Sequence, residues 1–138
     1  MSGAPFRVLP ALDVQNEFFW TSGRAGVLRI LRCQDCGYYL HPPSPRCPGC
    51  WSSSVSPETV SGRGEILTFT VNHQSWDGST EPYVIAIVGL DEADGLRLTT
   101  NIVDCAVDDV AIGKRVEVVF EQHGEVWIPL FRVMEDAA

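Results

Sequence analysis

The chain has 138 residues, enough for one ordinary domain or for a small module joined to a compact one. Hydrophobic residues make up 45% and charged residues 20%, which excludes a disordered polar chain. No apolar run approaches the roughly 20 residues that span a bilayer, and the N-terminus lacks the features of a signal peptide, so we expect a cytoplasmic protein without a membrane segment.

The formal net charge of −8 is distributed unevenly. Residues 1–50 hold five arginines against three acids, a balance of +2, whereas residues 51–138 hold five basic residues against fifteen acids, a balance of −10. Because an acidic surface repels a phosphate backbone, a general nucleic-acid-binding function is disfavoured. We expect any anionic ligand to approach the first half of the chain.

Residues 1–25 are predicted to form an arm followed by one short helix. Residues 1–12 contain two prolines and no clear hydrophobic period, which favours an extended conformation. Asp13 is suited to cap a helix over residues 14–21, and Gly23 lies just past the expected end of that helix.

The predicted helix carries Phe18, Phe19 and Trp20 in succession. Three adjacent side chains point in different directions around a helix, so one face cannot bury all of them. One interpretation is that they pack against the protein's own second segment. The other is that part of the cluster anchors a partner protein, since aromatic residues dominate interface hot spots.

Residues 26–55 contain two CxxC pairs separated by ten residues. A short strand at 27–32 is expected to lead into the first pair, and a second strand at 38–40 is expected to return toward a proline-rich bend before the second pair. The paired spacing is typical of a metal site rather than of disulfides in a protein that is not exported. The predicted ligands are Cys33, Cys36, Cys47 and Cys50.

Four thiolates complete a tetrahedral shell and leave no open position for water or substrate. The sequence therefore predicts a structural metal centre, with zinc as the expected ion. Iron fits the same sulfur cage, because geometry alone does not separate the two metals.

Residues 56–138 are predicted to be all-β. Leu67, Phe69 and Val71 alternate with polar residues, which is typical of a half-buried strand, whereas residues 83–90 are apolar on both parities and are expected to form a central strand. Five strands with closely spaced turns favour a small closed barrel or a sandwich. The expected strands cover residues 64–73, 83–90, 96–102, 115–122 and 126–133.

The remaining chemically active side chains form no recognised catalytic motif. His41, His73 and His123 stand apart, Cys105 has no neighbouring ligand in sequence, and no nucleophile–base pair is evident. The chain is therefore not predicted to be an enzyme by itself. A cluster of mostly polar residues follows the first long barrel strand and comprises His73, Gln74, Trp76 and Asp77. Either this cluster borders a binding surface, or it is simply the polar end of the strand.

Several segments resemble the acyl-CoA-associated proteins that join a rubredoxin-like zinc ribbon to an OB-fold. These segments are FFW, GVLRILRCQDCG, HPPSPRCPGC, SGRGEILTFTV and the terminal RVEVVFEQ and PLFRV, so the resemblance covers residues 17–133. Some members of that family lack ribbon cysteines, whereas this chain keeps all four.

The resemblance implies a mainly β fold with an N-terminal helix and zinc ribbon followed by a five-stranded OB-fold barrel. It also implies a non-catalytic accessory subunit that forms a hetero-oligomer with a thiolase-superfamily enzyme. The ribbon and the helix with Phe18, Phe19 and Trp20 would dock on that partner, and the OB domain would help shape its acyl-CoA channel. If CoA phosphate contacts this subunit, the expected residues are Arg24, Arg29, Arg32 and Arg46.

The specific partner expected from the resemblance is an aldolase of steroid side-chain breakdown, which would perform a retro-aldol cleavage in its own active site. A biosynthetic thiolase or a hydroxymethylglutaryl-CoA synthase is the alternative partner. Two further classes stay open: a zinc-ribbon and OB-fold module that binds nucleic acid, and a rubredoxin-like electron carrier.

Overall fold

The computed structural model describes residues 9–73 and 81–134. It contains one short α-helix and eight strands within those ranges, and no helix there has the length and apolar character needed to cross a membrane. The elements are α1 (Glu17–Thr21), a 3₁₀ turn (Ser22–Ala25), β1 (Leu28–Cys33), β2 (Tyr39–Leu40), β3 (Val55–Val60), β4 (Arg63–Asn72), β5 (Tyr83–Leu90), β6 (Arg97–Val103), a second 3₁₀ turn (Val107–Asp109), β7 (Arg115–His123) and β8 (Val126–Val133).

The N-terminal helix is shorter than predicted. The Asp13 carboxylate accepts hydrogen bonds from the backbone N–H groups of Gln15 and Asn16, but these belong to a turn that precedes α1. The chain then continues into the 3₁₀ turn. This turn ends at Ala25 and is followed by Gly26, whose φ is 75°. Helix α1 thus ends at Thr21, as predicted, and Gly23 lies just past that end, buried within the 3₁₀ turn.

Strands β2, β1 and β3 form a three-stranded antiparallel sheet in that order, which we call the ribbon sheet. The sequence pattern predicts β1 and β2 to within one residue but gives no signal for β3. The missed strand lies at the edge of the sheet and contains Pro57 among polar residues, a composition that edge strands tolerate and that does not signal a strand. The ribbon sheet consequently runs to Val60, past the expected segment end at residue 55.

The five remaining strands form a closed barrel in the order β4-β5-β6-β8-β7, which confirms the predicted barrel. Its pairs are antiparallel except for β6 and β8, which run parallel and are paired at Ile102–Phe131 and Val103–Arg132. The central strand β5 alternates between fully buried and half-buried residues and is paired on both edges, as expected.

One predicted buried residue of the barrel points outward. Leu67 was expected to face the core with Phe69 and Val71, but it is 36% exposed whereas Ile66 is fully buried. A β-bulge between Ile66 and Thr68 inserts one extra residue against β5. Because side chains alternate along a strand, this insertion moves Leu67 to the outer face. Ile66 faces the core before the bulge, and Phe69 and Val71 face it after the bulge.

Candidate metal centre and crevice

The four predicted metal ligands are brought together at one end of the ribbon sheet. Their Sγ atoms all lie within 4.8 Å of one another. The Cys33 and Cys50 sulfurs are 3.6 Å apart and the Cys36 and Cys47 sulfurs are 3.5 Å apart. Cys33 and Cys47 are buried and the other two are exposed, and none of the four forms a disulfide.

The two CxxC turns repeat one backbone pattern. In each turn the N–H of the fifth residue donates to the carbonyl of the first cysteine: Gly37 to Cys33 at 3.0 Å and Trp51 to Cys47 at 2.8 Å. Both fifth residues adopt left-handed backbone conformations, with φ of 82° and 65°. Glycine adopts this conformation freely, whereas tryptophan rarely does.

Backbone donors also prepare the sulfurs for ionisation. The N–H of Cys36 donates to Cys33 Sγ at 3.5 Å, and this hydrogen bond lowers the pKa of Cys33 to about 6. The backbone at Ser52 acts to lower the pKa of Cys50, but the neighbouring Cys33 and Cys36 thiols outweigh it and raise that pKa to about 12. Four clustered sulfurs therefore oppose complete ionisation of one another, and a bound divalent cation would offset this opposition.

The donor set fits a tetrahedral metal ion. Four sulfur ligands would fill the coordination shell of such an ion, which would hold the two CxxC turns together and leave no position for a substrate. Within residues 9–73 and 81–134, the four cysteines are the only group of three or more His, Cys, Asp or Glu side chains that lie close enough together to ligate one ion.

The aromatic residues of α1 pack between the ribbon sheet and the barrel. Phe19 is 3% exposed and belongs to the barrel core, with its ring edge-on to Trp20 at 4.9 Å between centroids and tilted against His41 at 4.8 Å. Phe18 is half-buried and touches both cores, and Trp20 is half-buried against the barrel core. Internal packing thus holds all three rings, and a partner could reach the exposed parts of Phe18 and Trp20.

A crevice of about 500 Å³ lies where α1, the bend after β2 and the barrel meet. Here β6 and β8 are not yet paired, because their backbone pairing begins only at Ile102 and Phe131. The Thr100 hydroxyl joins the two strands by donating a hydrogen bond to the Pro129 carbonyl at 3.1 Å. Burial lowers the pKa of His41 in its wall to about 4, so this ring is neutral at pH 7. Its lining includes Asn16, Phe19, Trp20, His41, Pro43, Arg97, Ile128 and Pro129.

The predicted arginines do not line this crevice, whereas Arg97, which the sequence analysis did not single out, does. Arg32 lies over the Tyr39 ring at 4.6 Å and pairs with Glu58 at 3.2 Å. Arg46 donates to the Trp51 carbonyl at 3.0 Å. The two others, Arg24 and Arg29, lie in the first 3₁₀ turn and in β1.

The other chemically active residues are dispersed. His123 hydrogen-bonds to Glu121 at 2.7 Å, and Cys105 is exposed, with its pKa raised by partial burial and by Asp109. His73 is exposed at the end of β4, and its predicted neighbours Gln74, Trp76 and Asp77 lie outside the described residues.

Comparison with known proteins identifies both halves of the chain. The family model of the ChsH2 rubredoxin-like zinc ribbon domain matches residues 20–56, and that of the ChsH2 C-terminal OB-fold domain matches residues 57–121. A DUF35 domain-containing scaffold protein from Methanocaldococcus jannaschii is 40% identical over 98 residues, which cover 69% of this chain and 68% of that protein.

Two further similarities are to proteins whose names refer to enzymes. A protein of Thermomonospora curvata described as a probable enoyl-CoA hydratase alpha subunit is 36% identical over 128 residues; the match covers 91% of this chain but only 40% of that relative. A solved chain of the Ltp2-ChsH2(DUF35) aldolase superposes with a TM-score of 0.80 at 35% identity, covering 91% of this chain and 98% of that chain. The chain belongs to the ChsH2-type DUF35 family, in which a rubredoxin-like zinc ribbon precedes an OB-fold domain.

Proposed function

We propose that the chain is a non-catalytic scaffold subunit of an acyl-CoA-processing complex and that it binds a thiolase-superfamily enzyme. The observation that carries this proposal is the match to the Ltp2-ChsH2(DUF35) aldolase, which covers 98% of the matched chain. The specific partner that we favour is a steroid side-chain aldolase that performs the retro-aldol cleavage in its own active site. A biosynthetic thiolase is the alternative partner within the same superfamily.

The metal centre supports a scaffolding role. Four sulfur ligands give a closed coordination shell, so the metal stabilises a surface rather than activating a substrate. We propose zinc as the resident ion, loaded in the cytoplasm where thiols stay reduced.

The crevice supports a contribution to acyl-CoA binding. Its lining is largely apolar with a few polar groups, which is the usual character of sites that bind small organic ligands. In this proposal an apolar part of the acyl-CoA lies against Trp20 and Ile128, and Arg97 faces an anionic group of the ligand or of the partner. The phosphate contacts proposed for Arg24, Arg29, Arg32 and Arg46 would then lie outside the crevice.

The test is to co-express the chain with the enzymes encoded beside its gene and to isolate the complex. A stable complex with a thiolase-fold enzyme that is inactive or insoluble without this chain supports the proposal. A chain that binds single-stranded oligonucleotides tightly and no acyl-CoA enzyme would refute it. A red preparation with reversible absorbance changes would instead support an electron carrier.

The docking role of the helix is tested in the same complex. We expect F18A and W20A to weaken the complex by about tenfold each, because half-buried aromatic rings commonly anchor interfaces. V14A is the control, since Val14 is 99% exposed just before α1. Zinc content must stay unchanged in all three variants. If F18A and W20A bind the partner as tightly as V14A does, the helix is not part of the interface.

A second partner class has its own support. Because the similarity to the hydratase alpha subunit covers 91% of this chain, a CoA hydratase is an alternative to the aldolase. Hydration of an enoyl-CoA by the isolated complex, without aldol cleavage, would favour this second candidate.

A further inference from the structure

The two CxxC turns share one backbone pattern but differ at the residue that needs a left-handed conformation. The first turn places Gly37 there, with φ of 82°, and glycine adopts this conformation freely. The second places Trp51 there, with φ of 65°. A side chain with a Cβ atom is strained in this region, and a bulky aromatic residue more so than the Asp that occupies it at position 104. Local folding therefore gives no reason for tryptophan at this position.

Packing gives no reason for it either. Trp51 is 72% exposed and belongs to neither buried core. The ring of Tyr38, which is 51% exposed, lies close to the second CxxC turn at Gly49, so two exposed aromatic residues occupy this end of the ribbon. Strained and exposed residues persist where function requires them.

The backbone of Trp51 is held from both sides. Its N–H donates to the Cys47 carbonyl at 2.8 Å, and its own carbonyl accepts from Arg46 Nη1 at 3.0 Å. The metal centre fixes Cys47 in turn. The indole ring therefore extends from a rigid base, which reduces the entropy that a binding partner would otherwise have to remove.

The charge around the ring favours a cation. Four thiolates around a divalent ion carry a net charge of about −2. Asp35, whose carboxylate accepts a hydrogen bond from the Ser52 hydroxyl, adds a further negative charge in the first CxxC turn. Two arginines lie near these turns: Arg46 donates to the Trp51 carbonyl, and Arg32 donates to the Gly37 carbonyl and is paired with Glu58. The face of an indole ring attracts ammonium and guanidinium groups, and the negative charges of the thiolates and of Asp35 reinforce that preference locally.

We infer that Trp51 is a docking anchor whose indole ring stacks against an arginine or lysine side chain on the surface of the partner enzyme. This inference rests on the proposed function and adds a second contact surface to the one on α1. The strain at Trp51 is retained because the gain in binding exceeds the loss in stability of the free chain.

The inference predicts opposite effects on stability and binding. W51G should raise the melting temperature of the metal-loaded chain by about 3 °C, because glycine relieves the backbone strain. The same variant should weaken binding to the partner enzyme by about 30-fold. W51F should lose only about threefold, because it keeps an aromatic face, and W51L about tenfold, because it keeps apolar area without that face. I112A, which removes a similarly exposed apolar side chain from the barrel, should change neither property.

Oxidative footprinting of the wild-type complex gives an independent measurement. Trp51 should be oxidised readily in the free chain and protected in the complex, as quantified by mass spectrometry. A complex that forms with Trp51 unprotected, or in which W51G binds normally, would overturn the inference and leave the proposed function intact. A W51G chain that melts lower than wild type would overturn the strain argument. If no acyl-CoA enzyme associates with the chain, the proposed function and the inference fail together.

Discussion

The ribbon and the barrel are stabilised in different ways. At the CxxC end of the ribbon the buried cluster consists of Leu31 and Leu40 together with the metal-site residues Cys33 and Cys47, whereas Leu28, Ile30 and Val60 of the ribbon sheet belong to the cluster of the barrel. The barrel has a continuous apolar core that includes Ile66, Val84, Val88, Leu98, Val116 and Phe131. Half of the cluster at the CxxC end is therefore formed by metal-site cysteines, whereas the cluster of the barrel contains none of them. We therefore expect the CxxC end of the ribbon to depend on a bound metal and the barrel to be independent of it.

The largest expected effect is the loss of the metal centre. C47S removes a fully buried ligand, and the free energy of metal binding that is coupled to folding in such modules is about 10 kcal/mol. We expect this variant to lose its metal and the CxxC end of the ribbon sheet to unfold, while the barrel strands remain formed. Metal analysis and hydrogen exchange, compared between β1 and β5, measure the two parts separately.

Cys105 provides the matched control for that experiment, because it is exposed and lies outside the cluster. C105S should keep a full metal complement and a normal melting profile. Wild-type metal content in C47S, or simultaneous unfolding of β5, would show that the two regions do not differ as described.

The next largest effect tests the barrel alone. Phe131 is 0% exposed, and F131A should destabilise the chain by about 3–5 kcal/mol through the cavity that it leaves. The variant should still bind its metal when folded. Urea unfolding followed by circular dichroism gives the free energy, with I112A as a control expected to lie within about 0.5 kcal/mol of wild type. Loss of metal from folded F131A would indicate that the ribbon depends on the barrel core.

The features that could be predicted from the sequence are those encoded by neighbouring residues. The CxxC spacing identified all four sulfurs because each pair is a local turn, and only the approach of the two turns needed the fold. The apolar run at 83–90 coincides with β5 because a central strand carries its signal on both faces. Local patterns thus sufficed for the metal centre and for most of the barrel.

The features that were missed depend on distant contacts. The alternation of apolar and polar residues predicts which side chains of a strand face the core. It cannot reveal the bulge that exposes Leu67, because a bulge is a shift in the pairing of β4 with β5. Gly23 lies just past the end of α1, as predicted, but its close approach to Phe120 and Trp127 in the barrel has no signal in the neighbouring sequence. The crevice residue Arg97 is ordinary in sequence and becomes notable only where β6 and β8 diverge.

A pH-dependent effect of intermediate size tests the boundary between the two regions. Burial lowers the pKa of His41 to about 4, from 6.5, so between these values the unfolded chain binds a proton that the folded chain does not. This contribution to stability is complete above pH 6.5 and is lost as the pH falls toward 4, by up to about 3 kcal/mol. Arg97 in the same crevice would add repulsion to the protonated ring.

H41Q cannot titrate and isolates that contribution from the acid-dependent loss of metal. The difference in unfolding free energy between wild type and H41Q should shift in favour of the variant between pH 7 and pH 4.5. Urea unfolding at both values measures it. A constant difference would mean that His41 is solvated rather than held neutral between α1 and the barrel.

The smallest expected effect concerns the contact by which the first 3₁₀ turn seats α1 on the barrel. A Cβ atom at Gly23 would lie 2.5 Å from Phe120 Cδ1 and 2.7 Å from Trp127 Cβ, so G23A should cost about 1–3 kcal/mol. G49A is the matched control in the ribbon, where the added atom meets Cys47 Sγ at 3.6 Å, an ordinary contact. If G23A is as stable as G49A by urea unfolding, the turn can move away from the barrel, and the helix belongs with the ribbon rather than with both regions.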